Sequence, residues 1–234
     1  MNIVMLLYPG LTQLDLTGPF DVFARFPELQ RHLAWKTLDP VTDSGGLRLL
    51  PSVTLAQCPP ADILFVPGGP GQLALMEDGE VLDFLRRQAA GARYVTSVCT
   101  GSLVLAAAGL LTGHRATSHW LSLEQLRLFG VEPVDERVVV DGSVVTGAGV
   151  TSGIDFALTL AALLFGEPRA RHAQLFMEYD PAPPFAGGTP RTSEPALAAL
   201  IRAETAPFQQ RRREAAQRAA DALAAHAAGA VSLT

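Results

Sequence analysis

The chain has 234 residues, a hydrophobic fraction of 48%, a charged fraction of 18% and a formal net charge of −5. That composition describes a globular chain with a substantial core and excludes a disordered one. The acidic balance argues against nucleic acid as a partner, and no stretch is apolar for long enough to cross a membrane. Residues 1–9 lack a basic region, and their apolar run stops at Pro9-Gly10, so no secretory leader is expected. Two cysteines, Cys58 and Cys99, do not make a disulfide framework, and a cytoplasmic location is expected.

Residues 3–8 form a short continuous apolar run, as in a strand buried on both faces. Thr17-Gly18-Pro19 reads as a helix start, because Pro is favoured in the first turn. Residues 32–38 read as a second strand, and 47–55 as an extended pair around Pro51. Residues 63–66 are the next buried strand, closed by Pro67-Gly68-Gly69-Pro70-Gly71. A helix follows over about 79–90, with Val81, Leu82, Leu85 and Ala89 on one face. Residues 93–98 are a strand that ends on Cys99. Residues 101–108 are small and apolar, suiting a helix pressed against the sheet, with Gly109 as its stop.

Residues 122–129 predict a short helix ended by Gly130. Residues 137–146 predict a hairpin about Asp141-Gly142, a type I′ pair. Residues 151–165 predict a strongly apolar helix. The proline-rich stretch 180–190 reads as an extended crossing segment, and residues 194–228 as an Ala-rich helix. The run Arg211-Arg212-Arg213 lies in that helix and reads as a solvated face. Strands alternating with helices predict an α/β fold with a mostly parallel sheet covered on both faces. One domain is expected, with 1–190 as its body and 191–234 as a helical extension of the same domain.

Cys99 stands where a strand feeds a helix, at the carboxyl edge where open α/β sheets bind ligands. Small residues around it, Ser97, Gly101 and Ser102, permit a sharp nucleophile elbow. The amide groups of the helix that follows should lower the thiol pKa. A drop from ~8.5 to ~6 would raise the thiolate fraction at neutral pH roughly 30-fold. The alternative is a buried structural cysteine. Cys58, before Pro59-Pro60, reads as structural.

Asp15 lies in the first strand-to-helix loop, at the same sheet edge as Cys99. It reads either as a partner for the thiol or as a first-turn helix acid. Gly68 and Gly69 offer backbone N–H groups for developing negative charge; the alternative is an ordinary turn. His119, next to Trp120, reads either as part of a Cys–His dyad or as a loop histidine bonded to backbone. No cluster has metal-ligand spacing.

Together these segments resemble the DJ-1/PfpI superfamily and, within it, the isocyanide hydratases. The matching segments are Thr12-Gln13-Leu14-Asp15-Leu16-Thr17-Gly18-Pro19, Pro67-Gly68-Gly69, residues 94–105 and 115–120, Gly153-Ile154-Asp155-Phe156-Ala157-Leu158, Glu178-Tyr179 and residues 181–185. They cover nearly the whole chain in order. The resemblance implies a flavodoxin-like sandwich that forms a homodimer, with residues 181–184 and the C-terminal helix as candidate contacts. It implies Cys99 as nucleophile, Asp15 as its acid/base partner and Thr100 beside them. Thr100 stands where the peptidase-like branch has a histidine, which argues against peptidase activity. Asp15 is shorter than the glutamate near the DJ-1 cysteine, which argues against a DJ-1-like role.

The implied reaction adds water to a small-molecule isocyanide through a Cys99 thioimidate, and it requires no metal or organic cofactor. Trp120, Tyr179 and Phe185 are expected to line an apolar pocket. Two rival readings are a ligand-sensing module like that of AraC-type regulators and a DJ-1-like glyoxalase or redox sensor. About 40 residues follow Pro190, too few and too weakly basic for a helix-turn-helix DNA-binding domain.

Overall fold

The computed structural model describes residues 1–231. Residues 232–234, the end of the expected extension, lie outside the described residues.

The chain opens with β1 (Asn2–Leu6), α1 (Gln13–Phe23) and β2 (Gln30–Trp35). Three short strands follow, β3 (Val41–Thr42), β4 (Arg48–Leu49) and β5 (Val53–Thr54), then β6 (Ile63–Val66). Next come α2 (Gln72–Leu75), α3 (Gly79–Ala89), β7 (Tyr94–Val98) and α4 (Gly101–Ala107). After β8 (Arg115–Ala116), a 3-10 helix at Leu123–Phe129 and β9 (Glu132–Pro133), the hairpin β10 (Val138–Asp141) and β11 (Val144–Gly147) completes the sheet. The helices α5 (Ser152–Phe165), α6 (Glu167–Phe176) and α7 (Pro195–Val231) end the chain.

Seven strands form the central sheet in the order β10-β11-β7-β6-β1-β2-β5. Every pairing is parallel except β10 with β11. The middle strands are apolar on both faces because helices cover both: β6 is fully buried, and Ile3, Val4, Met5 and Leu6 of β1 have no exposed surface. One helical group is α1, α5 and α6; the other joins α2, α3, α4, the 3-10 helix and α7. From β1 the chain goes first to β2 on one side and later to β6 on the other. That reversal opens a crevice at the carboxyl ends of β1 and β6, where ligands bind in such sheets.

The sequence expectations hold for β6, β7, α3, α4 and α5 within a residue or two. Three details differ. First, α1 begins at Gln13, after Thr12, so Gly18-Pro19 lies inside the helix rather than at its start. The pair serves packing: a Cβ on Gly153 of α5 would come within 3.0 Å of Pro19 Cδ. Glycine at position 153 therefore lets α5 press onto α1. Second, Asp141 pairs with Val144, so the hairpin turns on Gly142-Ser143. Gly142 has φ 61° and Ser143 no positive φ, a pattern that fits a type II′ turn better than the expected I′. Third, α2 and α6 were not anticipated. α2 is a single turn, and α6 buries only Ala170 and Ala173, so neither writes a strong apolar pattern.

The C-terminal helix α7 packs on α4, α2 and the 3-10 helix. Ala215, Ala216, Ala219 and Ala220 form its buried stripe. Within the Arg211-Arg212-Arg213 run, Arg211 and Arg213 are exposed but Arg212 is buried at 5%. The expected solvated face is therefore corrected at its middle residue, which lies on the apolar stripe four positions after Phe208.

Candidate active site

Cys99 sits between β7 and α4 with φ 56°, one of two non-glycine residues with positive φ among the described residues. A side chain pays on the order of 1–3 kcal/mol for this conformation, so it persists only where surroundings enforce it. Its N–H donates to Gly147 O at 3.0 Å and Ala148 O at 2.7 Å. Its C=O accepts from Ser102 Oγ and Ser118 Oγ, both at 3.1 Å. The next residue but one, Gly101, lies so close to β6 that a Cβ would meet Val66 O at 2.1 Å. These contacts make the elbow and aim the sulfur into the crevice.

Asp15 has no exposed surface. It lies in the first turn of α1, not in the loop before it as expected. Its Oδ2 accepts from Gly68 N at 2.9 Å, and its buried Oδ1 has no hydrogen-bond partner among the described residues. Burial pushes its pKa up to about 7, opposed by the neighbouring Cys99 thiol and by the Gly68 N–H. Burial also pushes the Cys99 thiol up, and the Asp15 charge adds to the rise. The N–H groups of Thr100 and Val150 bond the sulfur and pull the other way. The expected depression of the thiol pKa by the α4 N-terminus is thus corrected: desolvation outweighs it. Two acids in one dry site cannot both ionise at neutral pH, so one proton is held between them.

Gly68 and Gly69 differ from expectation. The Gly68 N–H is taken by Asp15 Oδ2, and the Gly69 N–H by Thr100 Oγ1 at 3.1 Å. They clamp two site side chains instead of presenting free donors. Thr100, buried at 2% as the N-cap of α4, is thereby held beside Cys99. A Cβ on Gly68 would lie 2.5 Å from Thr100 N and 2.8 Å from Asp15 Oδ2. The close approach of loop, acid and elbow therefore requires glycine there.

A cavity of about 190 Å³ opens on Cys99 and Thr100, walled by Thr12, Gly69, Val150 and His119, with Phe208, Gln209 and Arg212 from α7. His119 and Val150 also line a second cavity of about 260 Å³, which includes Trp120, Arg137 and residues 188–191. His119 Nδ1 accepts from Leu121 N at 3.3 Å, and burial lowers its pKa to about 4. This is the backbone-bonded alternative; a neutral ring with its acceptor engaged is not the base of a Cys–His dyad. Trp120 lines the second cavity and not the first, stacked under Arg202 at 5.0 Å.

Tyr179 and Phe185 do not line the Cys99 cavity either. Tyr179 donates to Asp155 Oδ2 at 2.8 Å, and Phe185 is 84% exposed. A wider cleft of about 840 Å³ beside α5 and α6 includes Tyr179 and no cysteine. Among the described residues, no group of three or more His, Cys, Asp or Glu is arranged to hold a metal ion.

Sequence reasoning missed Tyr8, Ser118, Val150 and Arg212. Tyr8 is fully buried and donates to Pro67 O at 2.9 Å. Its phenol is raised by burial and by Asp15 and Cys99, and Arg212 opposes that rise. Position at the end of β1 could have flagged Tyr8, and helical spacing could have flagged Arg212. Ser118 and Val150 join only through tertiary contact.

A strained cysteine elbow at the switch point of a parallel α/β sandwich, with a buried carboxyl against it, defines a cysteine-centred α/β protein with its site at the sheet's carboxyl edge. The DJ-1/PfpI family profile matches residues 1–163, and the chain belongs to that family. It is 54% identical over 220 residues to an isonitrile hydratase of Pseudomonas putida, covering 94% of this chain and 96% of that one. The crystal structure of a THiJ/PfpI family protein from Pseudomonas syringae superposes with a TM-score of 0.90 at 43% identity, covering 92% and 90% of the two chains. Drosophila melanogaster DJ-1beta superposes with a TM-score of 0.69 at 27% identity, covering 76% of this chain and 97% of that one.

Proposed function

We propose that the chain is an isocyanide hydratase, converting R–N≡C and water to the formamide R–NH–CHO. The observation that carries this reading is the likeness, nearly end to end on both chains, to an isonitrile hydratase. The buried Cys99–Asp15 pair at the elbow supports it independently, because the reaction needs a nucleophile and a mobile proton at one carbon.

In the proposed mechanism, Asp15 takes the thiol proton as Cys99 Sγ attacks the terminal carbon. The carboxyl then gives that proton to the same carbon, leaving R–N=CH–S–Cys99. An acid raised to about 7 suits both steps, since the best proton shuttles titrate near the working pH. Asp15 next draws a proton from water, whose oxygen attacks the thioimidate carbon. The nitrogen takes that proton, the C–S bond breaks, and the O–H proton returns to the pair as the formamide leaves. The Thr100 and Val150 N–H groups stabilise the sulfur while it is charged. Thr100 and the Gly68-Gly69 clamp keep Asp15 and Cys99 in register.

The substrate is a small molecule, and the 190 Å³ cavity suits a compact isocyanide group. The second cavity, with His119 and Trp120, would take the R group. No helix among the described residues is long and apolar enough to cross a membrane; a cytoplasmic location belongs to the proposal. The reading of residues 191–234 as a helical extension of the domain formed by 1–190 belongs to the same proposal and is supported, among the described residues, by Phe208, Gln209 and Arg212 walling the Cys99 cavity. A homodimer belongs to the same proposal. The segment 181–184 remains a candidate contact, next to the exposed Phe185, whereas one face of α7 is already used within the chain.

The test is formamide production from cyclohexyl and aryl isocyanides, run beside methylglyoxal consumption. Formamide without loss of methylglyoxal supports the proposal. Methylglyoxal turnover alone favours a glyoxalase, and neither activity favours a sensor module.

A further inference from the structure

The basic run of α7 places one arginine where the reaction has no stated use for it. Arg212 is 5% exposed and lines the cavity on which Cys99 and Thr100 open. A buried guanidinium is costly unless a carboxylate answers it. No salt bridge engages Arg212 among the described residues. Its partners are neutral: Nε donates to Gln72 Oε1 at 3.0 Å and Nη1 to Ser122 Oγ at 2.9 Å. Gln209 accepts from Nη1, and the Phe208 ring lies 4.6 Å from the guanidinium carbon. These contacts, from α2, the head of the 3-10 helix and α7 itself, fix the group in place. Nη2 makes no hydrogen bond among the described residues, which leaves it for the cavity.

The titratable groups around this charge are Cys99 at the elbow, Tyr8 at the end of β1 and His119 across the cavity. Tyr8 and His119 are neutral at physiological pH, the first raised and the second lowered. Asp15, bound to Gly68, is not part of the cavity wall, whereas the Arg212 side chain is.

We infer that Arg212 is the electrostatic positioning residue of the site, setting where the single negative charge of the Cys99–Asp15 pair rests. A fixed cation across the cavity stabilises charge on sulfur as the thiol proton passes to Asp15, the arrangement that attacks an electrophilic carbon. Its field strengthens when an apolar substrate displaces water from the cavity. The inference rests on Cys99 being the nucleophile, but not on which electrophile it meets.

Alkylation of Cys99 by iodoacetamide tests it, because the probe is uncharged and needs no isocyanide. Arg212→Met should move the pH midpoint of alkylation up by about one unit, slowing alkylation at neutral pH about tenfold. Arg212→Lys, which keeps the charge, should recover most of the rate. For an uncharged isocyanide, kcat should fall in step while KM changes by less than about threefold. A folded Arg212→Met protein with an unshifted alkylation profile and unchanged kcat would make Arg212 a packing residue and overturn the inference. Should Arg212→Met not fold, Arg212→Gln, which removes the charge but keeps a polar side chain, decides on the same readout: an alkylation midpoint raised relative to the unaltered protein supports the inference, and an unshifted one overturns it. A shifted alkylation profile in a protein that hydrates no isocyanide would retain this inference and reject the proposed function.

Discussion

Gly68→Ala isolates the role of the clamp. Gly68 does not have a positive φ, so alanine's backbone preference is not at issue and only the added methyl acts. That methyl would lie 2.5 Å from Thr100 N, 2.8 Å from Asp15 Oδ2 and 2.8 Å from Thr100 Oγ1. Ordinary van der Waals contact begins near 3.4 Å, so the loop, the elbow and the carboxyl must separate by several tenths of an ångström or more. Overpacking of this kind costs about 1–3 kcal/mol of stability. Its larger effect is on geometry, since the displaced atoms are the acid and the residue beside the nucleophile. A misplacement on the order of 1 Å costs about 100-fold in rate. The expected result is a folded protein whose stability in urea unfolding is lowered by about 1–3 kcal/mol and whose kcat/KM is down by about 30- to 100-fold. Gly79→Ala is the control, because no atom lies within 4 Å of a Cβ there and its φ is not positive; it should leave turnover unchanged. Gly68→Ala with kcat/KM within about threefold of the unaltered protein would show that Asp15 and Thr100 need not be held as described.

Asp15→Asn keeps the shape and removes the shuttle, so turnover should fall by about 100- to 10,000-fold in a formamide assay. The same substitution should change how stability depends on pH. Asp15 is raised from 3.8 unfolded to about 7 folded, so the folded state binds its proton more tightly. That contribution is full below pH 3.8 and is lost as pH rises through about 7. Urea midpoints should therefore show Asp15→Asn gaining on the unaltered protein between about pH 4 and pH 7; parallel curves would contradict the burial argument. Gly101→Ala sets a Cβ 2.1 Å from Val66 O; the elbow then cannot close, and both Cys99 alkylation and soluble yield should drop.

The sheet was legible where apolar runs were short and continuous, as in residues 63–66 and 94–98, because burial on both faces leaves no polar alternation. The elbow was legible for the same reason, since a strand ending on Cys99 with Gly101 beyond it has one plausible geometry. Pro19 misled, because proline favours a first helical turn but also tolerates the helix interior where a neighbour such as Gly153 packs against it. Gly68 and Gly69 are legible as site glycines, but their N–H groups hold Asp15 and Thr100 instead of a ligand. Nothing local reveals that Asp15 and Thr100, distant in sequence, occupy their N–H groups. The thiol pKa was misjudged because a helix N-terminus is visible in sequence and burial against a second acid is not. Arg212 was lost among three consecutive arginines, where only the stripe through Phe208, Ala215, Ala216 and Ala219 separates the buried one from its solvated neighbours.

The central claim is a covalent intermediate on Cys99, and rapid-quench mass spectrometry tests it most directly. Mixed with cyclohexyl isocyanide and quenched within a turnover, the protein should gain the mass of one isocyanide on the peptide containing Cys99. Cys99→Ala should show neither the adduct nor formamide. Formamide produced by Cys99→Ala, or an adduct on Cys58 with Cys99 unmodified, would contradict the account.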